Sequence, residues 1–344
     1  MANIFARSPY LIAIGETGQN GSKIELFLAN GSFTGSPQYT LSKLIPATNN
    51  VNTFYDISPY IREYIRFTTP SEPSTIQTNP TTERVNVRVK RYKLVGSTYT
   101  LLDTTDYKAF DGYTYYQESY NFDAGNYGLA VGNYYYWEGD GYAGQIRAIT
   151  GASFTAKYTS FHASPTITSV AISSGTYDIA RVLSANLSVG NKVEILDAAL
   201  FTQIIWYFYP LDECKYTPVR LDFVNRYGAW QTEYFFKASN DTFSVENTEY
   251  NLLQTDSYNY NFVEGQRKTF NTNGKKSIKV NTGWVDETWS EVLKQIMLSE
   301  RILIDNKPAK INSKSTELFK HINTKQINYS LDFEFAYDVI NSVI

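Results

Sequence analysis

The chain has little of what covalent chemistry and crosslinking draw on. Its 344 residues include one cysteine, Cys214, and two histidines, His162 and His321. A single cysteine excludes an internal disulfide framework and any cysteine-based zinc cluster. Cys214, in Leu-Asp-Glu-Cys-Lys-Tyr and far in sequence from either histidine, reads as a packed or surface thiol rather than a nucleophile. Two histidines give acid–base chemistry and histidine-rich metal sites almost no material. Charge is scarce as well: 19% of residues are charged and the net charge is −3. That leaves no basic field for nucleic acid and no polybasic strip for anionic lipid. No apolar run approaches a membrane-spanning length, and the N-terminus lacks the charged and apolar regions of a secretory signal, so none is expected. A phosphate-binding Gly-x-x-x-x-Gly-Lys-Ser/Thr loop, a Gly-x-Ser-x-Gly elbow and a His-Glu-x-x-His helix are all missing. No cofactor or metal is therefore expected, and the chain reads as a protein without enzymatic activity.

What is abundant is aromatic: 29 tyrosines and 20 phenylalanines. Tyrosine offers a large contact area with few torsions to freeze, which suits protein interfaces, and it also suits strands. Period-2 alternation dominates the pattern. Ile24, Leu26 and Leu28 alternate with Lys23, Glu25 and Phe27 ahead of a turn at Asn30-Gly31. Val85, Val87 and Val89 alternate with Asn86, Arg88 and Lys90, and Gly96-Ser97 follows as a hairpin tip. Ile327, Tyr329, Leu331, Phe333 and Phe335 alternate with polar residues near the C-terminus. Strands with one wet and one dry face point to antiparallel sandwiches.

Helical signals are few. Thr288 and Glu291 form a capping box ahead of Trp289, Val292, Leu293, Ile296 and Met297, whose spacing predicts an amphipathic helix over 288–298. A two-turn helix is expected from Ser58 as cap, with Pro59 at the first helical position. The expected fold is mainly β: two or three antiparallel β-sandwich (Ig/fibronectin-like) domains with one amphipathic helix in the C-terminal domain. The expected divisions are 1–120, with an exposed Pro/Thr loop at 68–82; 121–205, a Tyr/Gly-rich β domain or insertion; and 206–344, entered by a strand in 206–218.

The Tyr/Gly/Asn-rich run 111–144 has the composition of a binding surface. Consecutive residues such as Tyr134-Tyr135-Tyr136-Trp137 cannot all hide on one sheet face. Tyr113, Tyr115, Tyr116, Tyr134, Tyr135, Tyr136, Trp137 and Tyr142 are thus the interface or ligand candidates. Glu138 and Asp140 could serve as a glycosidase pair, but an Asp/Gly turn accounts for them more simply. The regular ligand spacing of a calcium loop is missing there.

Several blocks resemble a known group. Arg7-Ser8-Pro9-Tyr10, Ile24-Glu25-Leu26, Tyr39-Thr40-Leu41-Ser42-Lys43 and Ile57-Ser58-Pro59-Tyr60-Ile61-Arg62-Glu63-Tyr64-Ile65 resemble the N-terminal part of virion structural proteins of tailed phages infecting Bacteroidota, crAss-like phages included. Gly283-Trp284-Val285-Asp286-Glu287 and the stretch from Glu291 to Glu300, followed by strands at Arg301–Asp305 and Tyr329–Ala336, resemble an element of phage tail, neck or baseplate proteins. The resemblance implies a structural subunit assembled in the host cytoplasm and carried in the virion. It implies a six- or twelve-fold ring whose partners are its own copies and other tail or neck proteins. The second reading of the same aromatic surface is a carbohydrate- or receptor-binding module with a glycan receptor.

Overall fold

The computed structural model describes residues 3–45, 52–70, 77–78, 83–118, 127–128, 133–136, 145–150, 154–165, 167–172, 177–181, 189–211, 215–252, 266–285, 287–313 and 327–340. The protein is mainly β, with several antiparallel sheets and a helix in the C-terminal region. Its residues fall into two compact units that interleave along the chain. The first comprises Met1–Asp212, Asp222–Glu233 and Glu291–Ser299; the second comprises Glu213–Leu221, Tyr234–Ser290 and Glu300–Ile344.

The first unit opens with β1 (Asn3–Phe5), β2 (Leu11–Ile14), β3 (Gly21–Ala29), β4 (Tyr39–Leu44), β5 (Thr53–Asp56), α1 (Ser58–Tyr64), β6 (Gln77–Thr78), β7 (Arg84–Val95) and β8 (Thr98–Phe110). A five-stranded sheet runs β1-β8-β7-β3-β4, and β2 pairs with β5 in a separate ribbon. All its pairings are antiparallel except β1–β8, which is parallel. The alternation read from the sequence sets its core: Ile24, Leu26, Leu28, Val85, Val87 and Val89 point the same way and are almost completely buried. They pack with Ile12 and Ile14 of the ribbon and Ile57, Ile61 and Ile65 in and around α1. The layers are unequal, since a ribbon and a short helix take the place of the second sheet that a full sandwich would have.

Gly96-Ser97 does form the tip between β7 and β8, with Val95 opposite Thr98 and Gly96 at φ +62°, a conformation that glycine adopts without a Cβ penalty. At Asn30-Gly31 the chain does turn, though through a longer connection than a tight hairpin. The chain leaves β3 there and returns to β4 only at Tyr39. Ser58 is not the cap of α1 either: Ile57 holds that position, and Ser58 is the first helical residue, with Pro59 beside it. The Asp56 carboxylate accepts hydrogen bonds from the backbone N–H of Ser58 (3.0 Å) and of Tyr10 (3.1 Å), while Ser58 Oγ donates to Ser8 O (2.7 Å). An acid two residues before the helix satisfies an open N–H and complements the helix dipole, leaving the serine for tertiary contact.

The middle strands are β9 (Tyr127–Gly128), β10 (Asn133–Tyr136), β11 (Gln145–Thr150), β12 (Phe154–Ser160), β13 (Ile167–Ile172), β14 (Tyr177–Arg181), β15 (Asn191–Leu196) and β16 (Thr202–Pro210). A second five-stranded sheet runs β10-β16-β15-β12-β13. Trp206–Pro210, expected to enter a new sandwich, lies instead inside this sheet, paired with β15 on one side and in parallel with β10 on the other. The reason is its apolar face: Trp206 and Phe208 are fully buried on the side shared with Tyr158 and Val193. Elsewhere in this unit β11 pairs with β14 and β9, and β14 pairs with β6, so Gln77-Thr78 of the expected 68–82 loop forms a short strand. The rest of that loop, apart from Thr68–Pro70, lies outside the described residues.

Strands β17 (Val219–Val224) and β18 (Trp230–Phe235) lead to β19 (Ala238–Asn251), β20 (Arg267–Val285), α2 (Trp289–Leu298), β21 (Ile302–Ile304), β22 (Lys307–Ile311) and β23 (Ile327–Asp338). Within the second unit the strand order is β19-β20-β23-β22-β21. Its dry face carries Ile278, Val280, Leu331, Phe333, Ile302 and Ile304, all buried. Trp289 stacks on Tyr329 (5.9 Å between rings) and meets Phe235 edge-on (6.4 Å). The predicted helix thus forms from Trp289, directly after Thr288. Among the described residues, no helix is long and apolar enough to cross a membrane.

Candidate functional site

Among the described residues, three places gather side chains capable of recognition, two in the first unit and one in the second. The first is built around Arg226, in the turn between β17 and β18. Its Nη2 donates to both carboxylate oxygens of Glu118 at 2.7 Å. Its guanidinium lies 4.6 Å from the centre of the Tyr115 ring. Tyr115 donates its hydroxyl to Glu291 Oε1 at 2.6 Å, and the backbone N–H of Arg226 donates to Gln295 Oε1 at 3.2 Å. Beside it, Arg7 lies over the Tyr113 ring at 4.9 Å and donates to Leu298 O at 2.8 Å. Gly112 permits the close approach: a Cβ there would stand 2.6 Å from Arg226 O and from the Phe5 ring.

Burial would push the Glu118 carboxyl up, but the hydrogen bonds from Arg226 and from the Tyr115 backbone outweigh it and hold the group below the usual carboxylate range. Burial pushes the Tyr113 phenol up to about 12; burial and then the hydrogen bond to Glu291 raise that of Tyr115. The network is a clasp: the Arg226 fork faces Glu118 and the Tyr115 hydroxyl faces Glu291, while the Tyr113 hydroxyl and Arg226 Nε are buried with no hydrogen-bond partner among the described residues. Two of the eight candidate residues, Tyr113 and Tyr115, are thereby committed inward, whereas their neighbour Tyr116 is 99% exposed. Tyr134, Tyr135 and Tyr136 lie on β10, whose backbone register sets Tyr135 opposite Tyr209. Trp137 and Tyr142 lie outside the described residues, as do Glu138, Asp140, Cys214 and His321. His162 is exposed and accepts a local hydrogen bond from the Ser164 backbone.

The second place is the wet face of the middle sheet. Tyr207 and Tyr209, two apart on β16, share that face, and their rings lie 6.4 Å apart and nearly parallel (13°). Phe161, just past β12 and 40% exposed, stacks against Tyr209 at 5.6 Å and Tyr207 at 6.5 Å. Next to this row stand Lys157, Glu194 and Lys192, with N–O distances of 3.3 and 3.0 Å. Burial works to raise the Glu194 carboxyl, yet the two lysines prevail and keep it ionised below its ordinary range. No motif marked this surface, because Phe161 comes from a distant part of the sequence and only the β12–β15–β16 register brings it beside the tyrosines.

The third place is an arm on the second unit. β19 pairs with β20 from Ala238↔Asn281 to Asn251↔Arg267, and all fourteen of its residues are exposed. β20 pairs with β23 only as far as Lys275↔Asp338. From Asn273 back to Arg267 its only strand partner among the described residues is β19, so the hairpin continues as a two-stranded ribbon for about 20 Å at the usual strand rise. Phe243 (57% exposed), Val245 and Phe270 are open on it, and Tyr250 meets Phe270 edge-on at 5.5 Å. Where the arm leaves the sheet, Phe243, Phe335 and Tyr337 border a hollow of about 370 Å³ together with Asp241, Lys276 and Lys307.

Among the described residues, no group of three or more His, Cys, Asp or Glu side chains is placed to hold a metal ion. Neither a family model nor a curated protein matches the chain.

Proposed function

We propose that the chain is a non-enzymatic structural subunit of a tailed-phage tail, neck or baseplate assembly, joined to its own copies in a ring. The observation that carries this reading is the arm. A fourteen-residue edge strand, exposed throughout, bearing Phe243 and Val245 and with no strand on its outer side among the described residues, is what soluble monomers avoid, because an open strand edge templates pairing with another chain. An isolated two-stranded ribbon is also marginal in water and gains its stability from what it docks on. Low charge and abundant tyrosine and phenylalanine agree with large subunit contacts. The phage setting rests on the sequence resemblance.

The test is the state of the full chain in solution. Sedimentation velocity across a concentration series should resolve a species of six or twelve copies, and electron microscopy should show closed rings. A 39.2 kDa monomer at every concentration would remove the reading.

A second reading is favoured by the row of Phe161, Tyr207 and Tyr209. Parallel aromatic faces beside hydrogen-bonding charges suit the apolar faces and hydroxyls of a sugar ring, so this surface is the better seat for a glycan receptor than the clasped Tyr113 and Tyr115. Replacing Tyr207 and Tyr209 together by alanine should abolish retention on a glycan array while leaving the sedimentation profile unchanged. Undiminished retention would discard this site.

A further inference from the structure

We propose that successive copies of this chain join edge to edge, the outer edge of β19 in one copy pairing antiparallel with the outer edge of β4 in the next. This inference rests on the ring reading and names the contact that would build it.

Both strands end their sheets, β4 beside β3 and β19 beside β20, and each has no strand on its other side among the described residues. Their chemistry is complementary. β19 carries Asp241, Glu246 and Glu249 and no cation. Of the other strands that end a sheet, β1, β2, β6, β9, β10 and β13 carry no charged residue, β5 carries only the acid Asp56, and β4 alone carries a cation, Lys43, with no acid. Pairing β19 with its own copy would set acids against acids, which opposes that symmetric alternative. A neutral edge would leave the acids unanswered.

One register satisfies both strands. Setting Leu44 opposite Val245 places Lys43 opposite Glu246, Leu41 opposite Thr248 and Tyr39 opposite Tyr250. Leu44 is 73% exposed and Val245 54% exposed, so the joint covers the most open apolar side chain of β4 with one from the arm. Within one copy Glu246 already meets Lys275 at 2.8 Å, and Lys43 donates to Phe54 O. Both heads stay near the surface and can be shared across the new ladder. Because the two patches differ, the contact is heterologous and generates a ring when the rotation closes.

The experiment is a charge swap on the full chain, read by sedimentation velocity with thermal unfolding as the folding control. Lys43→Glu and Glu246→Lys should each weaken assembly at least tenfold, and the double variant, which restores opposite charges in the same register, should recover most of it. All three should unfold within a few degrees of the parent chain. If the parent assembles and both single variants assemble like it, the β4–β19 joint is overturned while the ring reading stands. If both singles weaken and the double does not recover, this register is overturned. If the parent stays monomeric, the ring reading and the joint fall together.

Discussion

Phe333→Ala is expected to cost about 3–5 kcal/mol of unfolding free energy, the usual range for truncating a fully buried aromatic side chain. Phe333 is completely buried in the second unit. Its register sets it opposite Ile278 of β20 on one side and Ile311 of β22 on the other, so the ring spans the strands that seat the arm. Alanine would remove the ring and leave a cavity that regular strands on both sides cannot collapse to fill. The loss should appear as a lowered midpoint in denaturant unfolding, and with it a loss of assembly at temperatures where the parent chain still assembles. Phe333→Leu, which keeps most of the volume, should cost about 1 kcal/mol and leave assembly intact.

The second large effect is expected at Arg226. Its side chain and that of Glu118 are only 12% and 26% exposed, so Arg226→Ala would strip the charge partner from a carboxylate that has given up most of its water. It would also empty the face of Tyr115 that the guanidinium covers. Breaking such a pair from one side costs about 3 kcal/mol, more than the intact pair contributes against an apolar substitute. Lysine in its place should recover only part of this, because an ammonium cannot reproduce the planar fork. The pH dependence has a definite sign. The folded carboxyl of Glu118 lies below its unfolded value, so its contribution is full above the unfolded carboxylate range and is lost as pH falls through the folded value. In Arg226→Ala this acid-side slope of stability should flatten, and unfolding curves measured from neutral pH down to pH 3 would show it.

Much of the fold was legible because its strands alternate. Val85, Val87 and Val89 and the run from Ile327 to Phe333 announce one dry face, and a period of two needs no knowledge of partners. The helix at Trp289–Leu298 was legible for the same reason at a different period. Strands β17 and β18 were not, since all twelve of their residues are buried, among them Arg220, Asp222, Gln231 and Glu233. Buried polar strands have no wet face to set a rhythm. They are held by side-chain bonds such as Thr232 to Asp222 at 2.6 Å, which no pattern in the sequence reveals. The candidate site divides in the same way. Tyrosine abundance marked 111–144, but composition could not tell Tyr113 and Tyr115, held under Arg7 and Arg226, from the exposed Tyr116. Arg226, Glu118 and the Phe161–Tyr207–Tyr209 row went unread because each depends on residues brought together from distant parts of the chain. The arm was hidden because β19, rich in Asn, Asp, Glu and Ser and exposed on both faces, offers few strand-forming residues and no dry face to read.

We propose that this chain joins copies of itself. The most direct measurement is the mass distribution of the purified full chain by sedimentation velocity, paired with electron microscopy of the same sample. The account predicts a closed ring of six or twelve copies that dissociates on dilution and is weakened by charge reversal at Glu246. A single 39.2 kDa species that is unchanged at every concentration would contradict it.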